Sequence, residues 1–512
     1  MATVVQGSRS AEIHKRLDHP VVDGDAHWLE SVPVFHDYVK ATGGQSMLDE
    51  YVKTQDGADR WFQTPPAERV RQRMGRPNYW FGPGNTLDRA TSMIPRLMYE
   101  RLQDFGIDFG IVYPTLGLGA FQGANRVQGA GLASDLRRCC VRAYNTMAAD
   151  MFRDYADRLR PAAIIPTVTP REGIEEAEYA VKTLGFKVGM LHGVIQRPIA
   201  ADEEWQPDPS RRRHYFDNLA LDSPYDYDPL WAKLVELGLA YTSHSGSSSD
   251  TATRTSPTSV VQSRVGHFAQ AHQIALKGLL LGGVTHRFPT LNFAFLEAGV
   301  AWAVNACIDL MLIFTKFGRE GLERDLHPRN LDPRLLRQLF DEYAVDDQFK
   351  GRVDRIFDEN NLWPNQPGKT AEDLVLRAAD WDEFAAAHIT SPDQIRDLFS
   401  RQFYFGCESD DPTVKWAFDE RTAMGARFKP VFSSDISHFD VTDMTEVLEE
   451  AWELVEHELI DEGAFRELTF TNPVALHGLM NPDFFKGTAV EEAAERELAR
   501  LKRATSMAGS TG

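Results

Sequence analysis

The sequence predicts an α/β protein: a (β/α)8 barrel with helical insertions. Three observations point there. Eight short apolar runs recur along 512 residues, and polar loops and stretches of helical periodicity lie between them. Most of the runs end in titratable residues, as barrel strands do at the end where chemistry is done. No Gly/Ser/Pro linker cuts the chain into separate domains. The same alternation also allows a doubly wound open sheet.

The predicted strands are, in order, "PVVDGDAH" (20–27), "FGIVYPT" (109–115), "AAIIPTV" (162–168), "KVGMLHGV" (187–194), "GLAYTSHSG" (238–246), "NFAFLEAG" (292–299), "FYFGCES" (403–409) and "KPVFSSDIS" (429–437). Helical patterns cover 133–158, 171–184, 229–237 and 441–457. The whole chain reads as one barrel domain with a core of about 20–488. Residues 38–105, rich in Trp, Tyr, Arg and Pro, and residues 302–400, mostly helical, exceed what a barrel needs. They read as insertions that cover the mouth or make subunit contacts. The small polar end, 505–512, reads as a frayed tail.

Composition bounds the function. Lys+Arg 55 against Asp+Glu 75 gives a formal net charge of −20. Such a field repels phosphate backbones and anionic lipid, so the expected partner is a small molecule, not nucleic acid or membrane. The apolar runs are too short to span a bilayer. The N-terminal stretch "MATVVQGSRSAEIHKR" lacks the apolar segment of a secretory signal. Four cysteines include no C-x-x-C, which argues against a zinc ribbon or disulfide scaffold and fits a reducing, cytoplasmic setting. No G-x-G-x-x-G or P-loop follows a strand, and no G-x-S-x-G occurs.

In a closed barrel the strand ends form a ring. Asp25 and His27 come from the first strand, His192 from the fourth, His244 from the fifth, Glu297 from the sixth and Asp435 from the eighth. Asp25 and His27 are two apart, so a strand puts both on one face. Asp25, His27, His244 and Asp435 make a mixed nitrogen and oxygen set suited to one divalent ion, Zn, Mn or Fe. Other candidates have plainer readings. Asp23 reads as buried support, Glu30 as a loop or cap residue and His286 as structural. His267 and His272 are five apart and do not stack as an i, i+4 pair. His267, His438 and Arg254 are candidate pocket residues. The loop "GCESDDP" (406–412) reads as polarity at the mouth, not as a second metal site.

These strand ends, together with "DRATSMIPRLMYERLQDFGIDFGIVYPT" (88–115), "YDPLWAKLVELGLAYTSHSG" (227–246), "GGVTHRFPTLNFAFLEAGVAW" (282–302), "SSDISHFD" (433–440) and "NPVALHGLMNPDFFKGT" (472–488), carry a resemblance. The chain resembles the amidohydrolase-related family, the branch of the metal-dependent amidohydrolase superfamily that holds the aminocarboxymuconate-semialdehyde and resorcylate-type decarboxylases. The resemblance runs from about Val21 to about Gly487. It implies a barrel enzyme with one divalent metal. The family's first-strand pair is often H-x-H or E-x-H, and here it is Asp25-x-His27. Its fifth-strand ligand falls on His244 and its eighth-strand aspartate on Asp435. Its sixth-strand position is often an acid/base histidine, and here it is Glu297.

Two enzymatic functions follow as expectations. In the first, a metal-dependent hydrolase uses a metal-bound water to cleave a C–N or C–C bond of a small, aromatic or cyclic substrate. Asp435 takes the water's proton, and Glu297 or His192 protonates the leaving group. In the second, a metal-dependent non-oxidative decarboxylase acts on an aromatic or unsaturated carboxylic acid. A catalytically silent barrel is the third reading. Aromatic residues in 60–81 suggest packing of the insertion onto the barrel or, as the alternative, an apolar lid over the mouth and hence an aromatic or hydrophobic substrate. The inserted helices lead us to expect a homodimer or larger assembly.

Overall fold

The eight apolar runs form the eight strands of a barrel in the computed structural model, which describes residues 7–54, 61–77, 82–120, 133–199, 214–244, 256–327, 330–359 and 382–509. The strands are β1 (Val22–Trp28), β2 (Phe109–Pro114), β3 (Leu159–Pro161 and Ala163–Ile165, interrupted at Ala162), β4 (Gly189–Leu191), β5 (Tyr241–Ser243), β6 (Phe293–Phe295), β7 (Phe403–Glu408) and β8 (Pro430–Ser433). Each pairs in parallel with the next. The seam between β8 and β1 is crossed by two backbone hydrogen bonds. His27 N donates to Ile436 O at 3.0 Å, and Asp435 N donates to Asp25 O at 3.1 Å. The barrel class therefore stands, with closure made beyond the end of β8.

Gly24 shows why that seam closes. A Cβ on Gly24 would lie 2.3 Å from Val431 Cγ1. Only a residue without a side chain lets β1 approach β8 this closely. The register of β1 against β2 also shifts between Asp23 and Ala26. Such an irregularity re-aims neighbouring side chains and is common beside functional sites.

The predicted helices are present with shifted ends: Ser134–Phe152, Pro170–Lys182, Asp228–Leu237 and Val447–Glu456. The last starts six residues later than its periodicity suggests. Asp443 first caps a 3-10 turn, Met444–Glu446, by accepting from Thr445 N. The 38–105 region follows β1 as a helix, Val32–Thr54, kinked at Gly44, and returns through Thr86–Met93 and Pro95–Phe105 to β2. A two-stranded antiparallel ribbon, Ile195–Pro198 with His214–Asp217, was not foreseen. The final helix runs from Glu491 to Gly509.

The core is aromatic. Phe293, Phe295, Phe403 and Phe405 are fully buried on adjacent strands. Phe295 meets Phe403 at 6.0 Å and Trp302 at 5.7 Å between ring centroids. Burying one such ring contributes about 1.5–3 kcal/mol. The N-terminal end of the barrel is closed by residues 472–488. Asn472 Nδ2 donates to Pro430 O at 2.8 Å, Asn292 Nδ2 donates to Leu476 O at 2.9 Å, and Phe485 packs 5.6 Å from Phe109.

The chain divides into two compact units, Met1–Ala306 with Leu398–Gly512, and Cys307–Asp397. The first holds the barrel. In the second, helix Pro333–Tyr343 is capped by Asp332, and Phe340 packs 5.1 Å from Phe357 on helix Val353–Glu359. Among the described residues no single helix is long and apolar enough to cross a membrane.

Candidate metal centre

β1 delivers Asp25 and His27 to the C-terminal end of the barrel, both with no exposed surface. His27 Nδ1 lies 3.0 Å from Pro114 O. A carbonyl only accepts, so Nδ1 carries the proton and Nε2 keeps its lone pair. Fixing a tautomer through the second ring nitrogen is how proteins aim a metal-binding histidine. His244, just past β5, places its own Nε2 3.0 Å from His27 Nε2. Asp25 Oδ1 is 3.4 Å from each of these nitrogens. Asp435, just past β8, brings Oδ1 to 3.4 Å from His27 Nε2. The donor atoms of Asp25, His27 and His244 lie within 4.8 Å of one another.

The chemistry of these atoms fits a divalent ion. Asp25 Oδ1 and Oδ2 and Asp435 Oδ1 are buried without a hydrogen-bond donor. Burying a carboxylate oxygen without a partner costs several kcal/mol, which a coordinated cation offsets. His27 Nε2 already offers a lone pair, so the close approach of His244 Nε2 suits two nitrogens turned to a shared ion.

Electrostatics agrees in direction. Burial raises the cost of a charge on Asp25, but His244 and His27 outweigh it and hold the carboxyl below its ordinary range. Burial pushes His244 down to about 4, against the pull of Asp25, so the ring stays neutral at pH 7. Glu297 and Asp435 are both raised well above the ordinary carboxylate range, by burial first and then by neighbouring acids. A bound cation reverses that penalty for any carboxylate that touches it.

Glu297 follows β6. Its Oε2 is 3.5 Å from His244 Nδ1, and its Oε1 is 3.7 Å from His438 Nδ1. Glu297 (φ 56°), Asp435 (φ 52°) and Ser437 (φ 84°) are held in the left-handed region. Such backbone costs of order 1–3 kcal/mol for a non-glycine residue and clusters at active sites. His438 stacks on His27 with centroids 3.8 Å apart. Burial lowers it to about 4.

The structure brings together Asp25, His27, His244, Glu297, Asp435 and His438. His192 is buried with neither ring nitrogen hydrogen-bonded, and burial holds it well below the ordinary histidine value, with His244 adding to the effect. It belongs to none of the donor groups. His267 does not join them either. Its Nδ1 lies 2.5 Å from Arg264 O at the start of helix His267–Leu281. Arg254 lies outside the described residues, as do residues 78–81 of the aromatic stretch. Asp23 is structural: it accepts from Ser434 N at 3.1 Å, from Ser434 Oγ and from Asp25 N at 3.1 Å, bracing the seam. Glu30 accepts from the backbone of Thr115, Leu116 and Gly117.

The roles of three residues escaped the sequence reading. Tyr113 lies 6.2 Å from the His27 ring and 5.6 Å from the His244 ring. Its signal was its place near the C-terminal end of the second apolar run. Glu408 ends β7 and groups with Glu297 and Asp435. The rule that found the other strand ends applies to it as well. His272 left no signal. From a helix outside the strands, its Nε2 donates to Leu296 O at 2.8 Å, and its Nδ1 lies 3.5 Å from Ser243 Oγ. It thus ties together the residues that precede Glu297 and His244.

Carboxylates and imidazoles gathered at the C-terminal ends of parallel barrel strands have the make-up of a candidate metal-dependent active site. Residues 99–315 match the family model described as "Amidohydrolase". Over that stretch the chain is similar to amidohydrolases, in line with the resemblance read from its sequence. An amidohydrolase from Mycobacterium avium subsp. paratuberculosis K-10 shares the fold, at 13% identity and TM-score 0.50, over 90% of this chain and 100% of that one. A dihydroxybenzoic acid decarboxylase from Polaromonas sp. JS666, with bound manganese and 2-nitroresorcinol, aligns at 13% identity and TM-score 0.45 over 91% of this chain and 99% of that one. A 5-carboxyvanillate decarboxylase from Novosphingobium aromaticivorans DSM 12444, complexed with manganese, aligns at 12% identity and TM-score 0.44 over 90% and 96%. No curated protein matches the sequence.

Proposed function

We propose that the chain is a metal-dependent hydrolase that cleaves a C–N or C–C bond of a small aromatic or cyclic substrate. The observation that carries the reading is the convergence of Asp25, His27, His244 and Asp435, with three carboxylate oxygens buried and lacking a donor. These four residues would hold the ion. When bound, it supplies Lewis-acid polarisation of the substrate and makes water acidic near neutral pH.

The rest is done by the chain. Asp435, the last-strand carboxylate, takes the proton of the attacking water. Glu297 sits between His244 and His438 in a buried pocket that favours its neutral form, so it has a proton to give to the leaving group. His192, buried and neutral, is the second donor candidate. Tyr113 packs beside both histidine rings and restricts their motion. The decarboxylase reading needs the same ion but a proton delivered to carbon.

Elemental analysis should find about one equivalent of Zn, Mn or Fe per chain. Less than about a tenth of an equivalent, with no activation by added metal, rejects the reading. Incubation with hydroxybenzoates and with cyclic amides and diketones then separates the reactions. CO₂ release from a hydroxybenzoate would overturn hydrolysis in favour of decarboxylation. The four cysteines are free and buried, which supports a reducing, cytoplasmic setting. Exposed Leu335, Leu339 and Tyr343, i, i+4 and i+8 on one helix, support assembly into a homodimer or larger, which light scattering would test.

A further inference from the structure

We propose that the substrate carries a cationic nitrogen, an ammonium or amidinium, which Glu408 receives beside the metal. The inference rests on the metal-dependent reading above and names the charge of the molecule that this site takes.

The charge of the centre gives the first reason. Asp25 and Asp435 together offset one divalent ion, and Glu297 holds its proton in the reaction proposed above. Glu408 is then left with a negative charge that the ion does not cancel. Its carboxylate lies within 4.8 Å of oxygens of Glu297 and Asp435, so that charge faces the reacting centre. A substrate with one positive charge leaves the filled site balanced. A carboxylic acid, ionised, adds a second uncompensated charge to a site shielded from water, which is costly.

The surroundings of Glu408 give the second reason. Buried carboxylates elsewhere in this barrel have donors: Asp23 accepts from Ser434 N, and Glu30 from the backbone of Thr115, Leu116 and Gly117. Glu408 is only partly buried and accepts no hydrogen bond and forms no ion pair among the described residues. Arg264 attracts it from a distance, but that guanidinium is paired with Asp440 and lies 5.0 Å from the centroid of the Phe439 ring. A carboxylate that keeps accessible surface and lacks a donor is completed by the N–H groups of a ligand. An amidinium fits best, because it offers two parallel donors to the two oxygens of one carboxylate, as arginine does.

The approach to Glu408 is acidic as well. Asp440, Asp410 and Asp411 act on it electrostatically, and Asp410 acts in turn on Glu450, on the helix Val447–Glu456. A cleft lined by one sign of charge gathers ligands of the other sign and turns away its own. The net charge of −20 works in the same sense at longer range.

The test uses manganese-loaded full-length protein and three probes of one shape: benzamidine, which is cationic, benzamide, which is neutral, and benzoate, which is anionic. Calorimetric titration at low salt should rank them in that order, with benzamidine at least about tenfold tighter than benzamide. Added salt should narrow the gap. Glu408→Gln should erase the gap and strengthen benzoate, with the bound manganese and the circular dichroism melt unchanged. Benzoate tighter than benzamidine in the wild type, no saturable binding of benzamidine up to about 10 mM, or an undiminished benzamidine preference in Glu408→Gln would each overturn the proposal. The first two outcomes are read on the wild type and do not depend on how the variant folds. A wild type that binds no manganese would instead overturn the metal-dependent reading itself, which the metal count shows before any probe is added.

Discussion

At the N-terminal end of the barrel, Asn472 and Asn292 donate to the carbonyls of Pro430 and Leu476, and Phe485 packs on Phe109. At the opposite end, Asp25 and Asp435 bury carboxylate oxygens with no donor, and Glu297 and Asp435 hold positive φ. The same eight strands support both ends. One end contributes stability through packing and paired polar groups. The other spends some of it on strained backbone and like charges. The division follows the barrel rule that strand C-termini carry chemistry and N-termini carry stability. It also predicts that substitutions at the two ends fail differently.

The largest effect is expected at the metal. His244→Ala removes a nitrogen 3.0 Å from His27 Nε2 and 3.4 Å from Asp25 Oδ1. We expect the variant to fold but purify with less than about a tenth of the metal and no measurable turnover. Full metal content would show that His244 is not a ligand. Asp435→Asn comes next. The amide still offers an oxygen to the ion but takes no proton, so turnover should fall at least about a hundredfold with most of the metal retained. A helix-cap role would leave rate and melting temperature almost unchanged, since Asn caps as well as Asp. The helix in question, Val447–Glu456, has Glu446 at its N-cap, eleven residues beyond Asp435. Glu297→Gln should keep the metal yet lose about tenfold or more in turnover. Normal activity would pass the donor role to His192.

The contrast sharpens at the closed end. Asn472→Ala deletes the 2.8 Å bond to Pro430 O and leaves a buried carbonyl short of a donor. The cost should be about 1–3 kcal/mol of stability. Turnover measured well below the melting temperature should be unaltered. A large kinetic loss with unchanged stability would break the division between the two ends.

Much of this division was legible in the sequence, for a physical reason. A parallel barrel buries its strands on both faces, so each reads as an apolar run, and any titratable residue at its end stands out. That is how Asp25, His27, His244, Glu297 and Asp435 surfaced. Glu408 obeys the same pattern but sits in an acidic loop, where neighbouring charges disguised it as solvent polarity. What composition and spacing do not encode is backbone conformation and contacts between distant elements. The left-handed φ of Glu297 and Asp435 has no glycine to announce it. His272 reaches Leu296 and Ser243 from a helix, and its spacing to His267 says nothing of either. The ribbon Ile195–Pro198/His214–Asp217 lacks a short turn between its strands, which is the usual hairpin signal.

The effect that is smallest at neutral pH is also at the closed end, and it grows as the pH falls. His477 lies on the helix that caps the barrel, 1% exposed, and stacks on Phe484 with centroids 4.6 Å apart and planes 13° from parallel. Burial, with a contribution from the Arg160 charge, lowers it to about 3. In the unfolded chain it takes a proton near pH 6.5. Above that value it is neutral in both states and contributes no pH dependence. Between about pH 6.5 and 3 the unfolded chain binds a proton that the folded chain refuses, so acid favours unfolding by about 1.4 kcal/mol per pH unit. His477→Phe keeps an aromatic ring against Phe484 and has nothing to protonate. Its stability relative to wild type should therefore be constant from pH 8 to 7 and improve steadily as the pH drops from about 6 to 4.5. The other buried histidines titrate alike in both proteins, so denaturant melts of the pair at matched pH isolate this one ring. Parallel curves across the whole range would mean that His477 accepts its proton in the folded state, and that the closed end is wetter than its packing indicates.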